Sequence, residues 1–358
     1  MNKVNVVILY GGESLEKEVS KITGMQIINN LNKSKYNIYP IFIDEQNIWW
    51  YTPNIKTYKE LETTKKYKAY IKPGESFVYF NKPLQNKIKI HCAIICLHGG
   101  NGENGTISGL LNLSNIPYTC SNITASNVTL NKYLTKLILE KNDLNVLPYV
   151  YIDNQTDNKV IENFIENQQF PLIVKPVDMG SSIGVSLVHN KEDLFDAIKN
   201  VFSLTSSAII EKGIEKVVEY NCSAMQERDE IVISDIEKPI KKSSILTYAE
   251  KYGSKGFKLG VKNSNSKGFS SLGREFPAKI SNRLTEQIKQ LTHKAYKIFN
   301  CSGIIRCDYL YYNKKLYLNE INSIPGSFAF YLWKEKGYSL TTLLDNIITS
   351  AIFNHNKH

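Results

Sequence analysis

The sequence predicts an α/β protein of more than one domain. Three observations carry that expectation. From Val4 to Leu113, short apolar runs rich in β-branched residues alternate with stretches of helical spacing, and glycines mark the breaks. The length of 358 residues corresponds to two or three domains at roughly 150 residues each. After Cys120 the composition shifts, and near the C-terminus a stretch from Gly303 to Phe328 reads as an antiparallel hairpin rather than another strand–helix unit.

Taken in order, Val4–Tyr10 is a buried strand, Gly11 and Gly12 turn the chain, and a helix runs on to Leu31 with Ser14 as its expected cap. Tyr36–Asp44 is a second strand and Trp49–Tyr51 a weaker third. Residues 52–88 are polar and poorly patterned. Ile88–Leu97 reads as one strong buried strand, ending in the Gly-rich turn His98–Gly105 and a helix Thr106–Leu113. Beyond Cys120, a single helix Asn127–Lys141 carries Lys132 and Lys136. Strands follow at Tyr149–Ile152, Phe170–Pro176, Val185–Val188, Ala208–Glu211, Val217–Met225, Ile231–Ile233 and Ser244–Tyr248, with helices Lys159–Gln168 and Lys191–Val201 among them. Lys251–Phe276 is a long Gly-, Ser- and Lys-rich loop, the composition of a lid. A helix Arg283–Phe299, the hairpin and a closing helix Leu340–Phe353 complete the chain.

Bulk numbers exclude several classes. A hydrophobic content of 42% and a charged content of 22% are those of an ordinary globular protein. The net charge of +10 is scattered, with no block of five like charges, so no nucleic-acid partner is expected; anionic small molecules suit the balance better. No apolar run approaches the length of a membrane span, and no signal peptide is expected, because Val4–Leu9 leads straight into a turn. The six cysteines form no C-x-x-C pair, which points to reduced thiols and a cytoplasmic location.

Three stretches carry chemistry. In the hairpin, a three-residue loop Asn313-Lys314-Lys315 pairs Tyr312 with Leu316, Leu310 with Leu318, Asp308 with Glu320 and Arg306 with Asn322, all on one face. Opposed carboxylates repel, so either both are solvated with Arg306 neutralising one, or a hard divalent cation such as Mg²⁺ sits between them. The run VKPVDMGSSIGV offers Lys175, two serine hydroxyls and glycine backbone, a phosphate cradle or an ordinary hairpin turn. The turn HGGNGENG contains G-x-G-x-x-G but lacks a later acid, so a Gly-rich helix start fits better than a dinucleotide site.

The order Lys132, Lys175 with its serine loop, Glu211 and Glu219, a Lys251-bearing loop, then Asp308, Glu320 and Asn322 resembles the ATP-grasp enzymes, and within them the D-alanine–D-alanine ligase family. YGGESLEKEVS, HGGNGENGTISGLLNLSNIPYT, FPLIVKPVDMGSSIGV, Glu250-Lys251-Tyr252 and LYLNEINSIPG are similar to that family's blocks, in the family's order. The resemblance implies an N-terminal Rossmann-like domain (1–122), a central ATP-grasp subdomain (123–212) and a C-terminal one (213–358) with a lid at 251–276. It implies that Lys132, Lys175, Ser182 and Lys251 hold ATP phosphates, and that Glu211, Lys212, Ile214 and Glu219 hold adenosine. Asp308, Glu320 and Asn322 would bind two Mg²⁺ ions, with Mn²⁺ an acceptable substitute. Glu16 would meet the ammonium of the first D-amino acid and His98 its carboxylate, Ser181 and Tyr252 would link the lid to Glu16, and Arg306 with the Gly326 N–H would stabilise an oxyanion.

The implied reaction joins two D-alanines through an acyl phosphate, for peptidoglycan precursor synthesis, in a homodimer. Three features depart from the family. Tyr331 stands where a serine holds the acceptor, the lid is long, and Cys120 replaces a glycine. Ser327 and Tyr331 place hydroxyls near the expected acceptor site, which keeps a D-alanine–D-serine ligase as the alternative. A dinucleotide-dependent dehydrogenase and a non-catalytic ATP-binding protein are the readings from other classes.

Overall fold

The apolar run that opens the chain becomes β1 (Val4–Gly11), a parallel strand whose Val6–Tyr10 segment is wholly buried. The structure, a computed structural model, describes residues 3–81, 83, 86–240 and 273–357. After β1 come α1 (Lys17–Asn30), β2 (Tyr36–Ile43), β3 (Trp49–Tyr51), β4 (Tyr67–Ile71), β5 (Phe77–Phe80), β6 (Lys87–Lys89), β7 (Cys92–Ile95), the short α2 (Gly100–Glu103) and α3 (Thr106–Leu113). These strands form a seven-stranded sheet in the order β6-β5-β4-β3-β2-β1-β7. β1 is parallel to β2 and β7, whereas β2 to β6 are joined antiparallel.

Two expectations are corrected here. The run Ile88–Leu97 is two strands, at opposite ends of that order. The pattern itself changes: Lys-Ile-Lys alternates, as suits the half-exposed β6, whereas Cys-Ala-Ile-Ile is continuous, as suits β7 buried on both faces. Only Ile90 and His91 separate the two, and an extended chain covers about 3.5 Å per residue, so the end of β6 lies near the start of β7. Ser14 does not cap α1. Its hydroxyl donates to the His98 carbonyl and accepts from the Glu16 N–H, and Glu16 takes the N-cap position.

The expected helix Asn127–Lys141 is also two: α4 (Ile123–Leu130) and α5 (Lys132–Lys141). Asn131 breaks them with extended backbone, and its side chain accepts from the Leu134 N–H to cap α5. A four-stranded sheet follows, in the order β10-β9-β11-β8, built from β8 (Tyr149–Asp153), β9 (Leu172–Pro176), β10 (Ser186–Val188) and β11 (Ser207–Lys212). Helices α6 (Asn158–Gln168) and α7 (Lys191–Phe202) cover it, and α7 buries Leu194, Ala197, Ile198 and Val201 against its core.

The third sheet has five strands: β12 (Val218–Glu227), β13 (Glu230–Pro239), β14 (Arg274–Glu275), β15 (Ile304–Tyr312) and β16 (Lys315–Asn322), in the order β14-β13-β12-β15-β16. Helix α8 (Asn282–Ile298) packs on it through Ile288, Thr292, Ala295 and Tyr296. A 3-10 helix Gly326–Lys336 and α9 (Leu340–Asn356) then return to the first core, where Phe328, Trp333, Leu343 and Ile347 are buried with β1 and β7. The expected strand Ser244–Tyr248 and most of the 251–276 lid lie outside the described residues; Arg274–Glu275 at its end is β14.

The β15–β16 hairpin differs from its expected register in an instructive way. Its loop is two residues, Asn313-Lys314, both with positive φ (46° and 60°), so Tyr312 pairs with Lys315 and Tyr311 with Leu316. A bulge at Asn319 then adds one residue to β16, and from there Asp308 faces Glu320 and Arg306 faces Asn322, as expected. The bulge reverses the facing of β16. Leu316 and Leu318 enter the buried core with Tyr309, whereas Glu320 faces out beside Asp308.

Candidate active site

Between the four-stranded and five-stranded sheets lies an open cleft with a cavity volume of about 130 Å³. Ile173, Lys175, Leu187 and Glu211 line it from one sheet, and Glu219, Asp308, Leu310 and Glu320 from the other. Ser182, Val185 and Met179 close it from the loop after β9, while Ile214 and Val217 form the back. A lining that combines apolar side chains with lysines suits a flat heterocycle carrying an anionic tail.

The loop after β9 is set by local conformation. Pro176 ends the strand, and Ser181, Ser182 and Gly184 take positive φ (53°, 61° and 70°). The break at Asn131 docks α5 on this loop: the Lys132 N–H donates to the Val177 carbonyl at 2.8 Å, and the Lys132 ammonium to the Met179 carbonyl. Burial pushes the Lys132 ammonium down from its ordinary range.

Glu211 is buried at the cleft floor, with Lys136 at 3.0 Å and Lys175 closer still. Burial alone would raise this carboxyl, but the two lysines outweigh it and hold it at about 2. Lys136 also lies 5.1 Å from the centre of the Tyr149 ring. Lys175 reaches across to Asn319 Oδ1 at 3.3 Å, the residue that the bulge turns into the cleft. Lys212 points away: its ammonium donates to the carbonyls of Gln168 and Gln169, at 2.9 and 3.2 Å, where α6 ends.

On the five-stranded sheet, Glu237, Asn221, Asp308 and Glu320 form one row across four strands. Arg306 forks onto Asp308, with Nε–Oδ1 2.6 Å and Nη2–Oδ2 2.7 Å, and the Asn322 amide donates to Asp308 Oδ2 at 3.2 Å. Burial opposes the Arg306 charge, yet Asp308 keeps the guanidinium firmly protonated. The donor set is all oxygen, from Asp308, Glu320 and the carbonyl end of Asn322. Among the described residues no group of three or more His, Cys, Asp or Glu could enclose a metal. Mg²⁺ does not require one, since it keeps waters and takes phosphate oxygens, so these residues fit that ion as an open, half-built shell.

Beside this cleft, Glu16 is buried between two glycines. A Cβ on Gly99 would come within 2.6 Å of Glu16 Oε2, and one on Gly180 within 2.9 Å. The Ser181 hydroxyl donates to Glu16, tying the cleft loop to the first sheet. Burial and then repulsion from Glu103 raise the Glu16 carboxyl to about 7, against smaller opposing pulls from Ser181 and His98. His98 sits 3.6 Å from Glu103 through Nδ1 and 2.9 Å from Thr23 Oγ1 through Nε2. Thr23 in turn accepts the Ser327 N–H at 3.2 Å.

That last contact leads to the turn after Pro325. Ser327, Phe328 and Ala329 all have positive φ (51°, 53° and 46°), a strained run for residues with side chains. The two hydroxyls expected near the acceptor, those of Ser327 and Tyr331, have partners within the chain. Ser327 donates to Gln26 on α1, and Tyr331 to Glu237 Oε1 at 2.7 Å. Arg274 lies 4.2 Å from the Tyr331 ring centre and 3.4 Å from Glu237 Oε2.

The fold therefore gathers Lys132, Lys175, Ser182, Glu211, Ile214, Glu219, Asp308 and Glu320 about one cleft, with Glu16, Ser181 and His98 joined through Glu16 at its side. Lys251 and Tyr252 lie outside the described residues. Reading the sequence noted Lys136 on its helix but gave it no role, and passed over Asn319, Thr23, Gln26, Glu237 and Arg274. Lys136 had a signal, four residues after Lys132 on the same helical face. Asn319 had none, because a bulge decides which way it points.

Residues 5–121 match the family described as "D-ala D-ala ligase N-terminus", and residues 138–349 the one described as "D-ala D-ala ligase C-terminus". The D-alanine–D-alanine ligase of Thermosipho melanesiensis is 34% identical over 357 residues, covering 98% of this chain and 94% of that protein. Two solved structures share the fold. The D-alanine-D-alanine ligase of Coxiella burnetii has a TM-score of 0.85 at 24% identity, covering 100% of this chain and 96% of that one. The VanG D-Ala:D-Ser ligase of Enterococcus faecalis has a TM-score of 0.83 at 24% identity, covering 98% and 100%.

Proposed function

The chain belongs to the D-alanine–D-alanine ligase family, and from that membership we propose that it joins two D-alanines to D-alanyl-D-alanine through an acyl phosphate. It is an α/β ATP-grasp enzyme that forms a peptide bond at the expense of ATP. The observation that carries the proposal is the Ser181–Glu16 contact, which sets a buried amino-acid-binding carboxylate against the loop over a lysine-lined cleft.

In this reading adenine enters the cleft near Ile214 and Glu211, and the phosphates reach Lys132, Lys175 and Ser182. Lys136 holds Glu211 ionised and in place. The first D-alanine lays its ammonium on Glu16, which gives up its proton on gaining a cation, and its carboxylate near His98. A carboxylate oxygen attacks the γ-phosphorus, the bond to the β-phosphate oxygen breaks, and ADP and D-alanyl phosphate result. The amine of the second D-alanine, having lost a proton, attacks the acyl carbon; the tetrahedral oxyanion faces Arg306 and the Gly326 N–H, and phosphate leaves. Two Mg²⁺ ions held by Asp308, Glu320 and Asn322 would neutralise phosphate charge in the first step. Arg306 prepares the site by orienting Asp308 through its two-nitrogen fork.

The three sheets divide the labour as proposed domains 1–122, 123–212 and 213–358, working in the cytoplasm, as a homodimer, on peptidoglycan precursors. Among the described residues no helix is long and apolar enough to cross a membrane. D-serine as acceptor is the weaker reading, because the hydroxyls of Ser327 and Tyr331 that would favour it are given to Gln26 and Glu237. The test is phosphate release with ATP, Mg²⁺ and a panel of D-amino acids, with mass spectrometry of dipeptides formed from equal D-alanine and D-serine. D-alanyl-D-alanine is the expected product; an excess of D-alanyl-D-serine, or no dipeptide, refutes the proposal.

A further inference from the structure

Resting on that reading, we propose that Asn319 binds the nucleotide directly, its side-chain amide donating to a phosphate oxygen of ATP beside Lys175. Chemistry orients the amide. Asn319 meets the Lys175 ammonium at 3.3 Å, and an ammonium donates hydrogens but accepts none. The atom facing Lys175 is therefore the carbonyl oxygen Oδ1, which leaves Nδ2 with two hydrogens to give elsewhere. Among the described residues none accepts from Nδ2, although Asn319 is half-buried in the lining of the cleft. A ligand in the cleft supplies the missing acceptor.

The surroundings select an anion as that ligand. Side chains of a strand alternate between its faces, yet Asn319 and Glu320 are consecutive and both line the cleft, because the bulge adds a residue there. A donor amide thus stands next to a carboxylate of the proposed Mg²⁺ shell, and an anion carried by that ion comes within reach of both. On the same side of the cleft Glu219, Asp308 and Glu320 are acidic, Leu310 is apolar, and the Tyr309 hydroxyl is bonded to Thr292. Of the described residues lining the cleft from the five-stranded sheet, Asn319 alone has hydrogens to offer a phosphate. Lys175 faces it from β9 on the opposite wall. Its ammonium gives one hydrogen to Glu211 and one to Asn319, and the third remains for the ligand that the amide also meets. One phosphate oxygen group is then held from both sheets, by a cation on one and a neutral donor on the other.

The test measures binding of Mg²⁺-ADP and of adenosine to the full-length protein by isothermal titration calorimetry. Asn319→Leu is expected to weaken ADP about tenfold, the effect of one hydrogen bond to a charged group, and to leave adenosine unchanged. Repeating the substitution in a Lys175→Met background separates direct contact from support of the lysine. The loss persists there if the amide touches phosphate, and vanishes if Asn319 acts only by holding Lys175. Asn319→Asp decides the same point should the double variant not fold. It keeps an acceptor for Lys175, has no hydrogen to give, and is expected to weaken ADP at least as much as the leucine variant. Unchanged ADP affinity in folded Asn319→Leu, an equal loss for adenosine, a loss that vanishes without Lys175, or wild-type ADP affinity in Asn319→Asp overturns the assignment. A wild-type protein that binds no ADP overturns the ATP-dependent reading instead, so the two failures are distinct.

Discussion

Glu16 is a buried carboxylate, and charging it there has a measurable cost to the protein. Burial and the nearby Glu103 raise its carboxyl from the ordinary 4.5 to about 7. The native state therefore holds this proton more tightly than the unfolded chain does. The contribution to stability is fully present below pH 4.5 and is lost as pH rises through about 7. At about 1.4 kcal/mol per decade of proton affinity, the loss across that window is about 3 kcal/mol. Glu16→Gln keeps the shape between Gly99 and Gly180 and still accepts from Ser181, but has no charge to bury. Urea unfolding of both proteins without substrate, at intervals from pH 5 to pH 8, isolates the effect, because every other titrating group is shared. The variant is expected to gain on wild type as pH rises, ending about 3 kcal/mol more stable at pH 8, while losing affinity for the first D-alanine. Parallel stability curves would refute the reasoning, since they would mean that Glu16 is solvated or already paired in the empty protein.

Other outcomes follow from the same site. Glu320→Gln is expected to lower turnover more than about a hundredfold at saturating Mg²⁺ with the fold intact by circular dichroism, because an amide cannot balance a divalent ion beside phosphate. Thr23→Val removes the bridge between His98 and the Ser327 N–H and should raise the first-site KM for D-alanine about tenfold, whereas Thr23→Ser, which keeps the hydroxyl, should stay near wild type in the same titration. Lys136→Met leaves Glu211 with Lys175 as its remaining lysine and should destabilise the protein by about 3–5 kcal/mol in urea unfolding. Its ATP KM should also rise. The stability that Glu211 contributes is present above pH 4.5 and lost as pH falls toward about 2, so the deficit of this variant should shrink in acid.

How much of this was legible in the chain depends on the range of the interaction concerned. Apolar periodicity located α3 at Thr106–Leu113 without error and α8 and α9 nearly so, because a helix closes its hydrogen bonds within a few residues. The same rule gave one strand at Ile88–Leu97, where the change from alternating to continuous apolarity marked two strands destined for opposite ends of a sheet. It also passed over Asn131, whose cap on α5 splits a continuous helical pattern and puts Lys132 on the cleft loop.

The sequence by itself determined the list of chemical groups: lysines, a serine loop, and an Asp–Glu–Asn set in the order Lys132, Lys175, Asp308, Glu320, Asn322. It determined that Asp308 meets Glu320, although by a register whose loop was one residue too long and whose missing bulge restored the count. Only the tertiary structure decided where each group points. Glu211 ends in an ion triad with Lys136 and Lys175, and Lys212 caps α6. Ser327 and Tyr331 give their hydroxyls to Gln26 and Glu237. The partners in these contacts lie up to 301 residues apart along the chain. A one-residue change of register or a single left-handed turn reverses the direction of a side chain, and composition carries no record of either. Direction is set when distant surfaces pack, and it is there that Glu16 acquires its burial and Arg274 its platform on Tyr331.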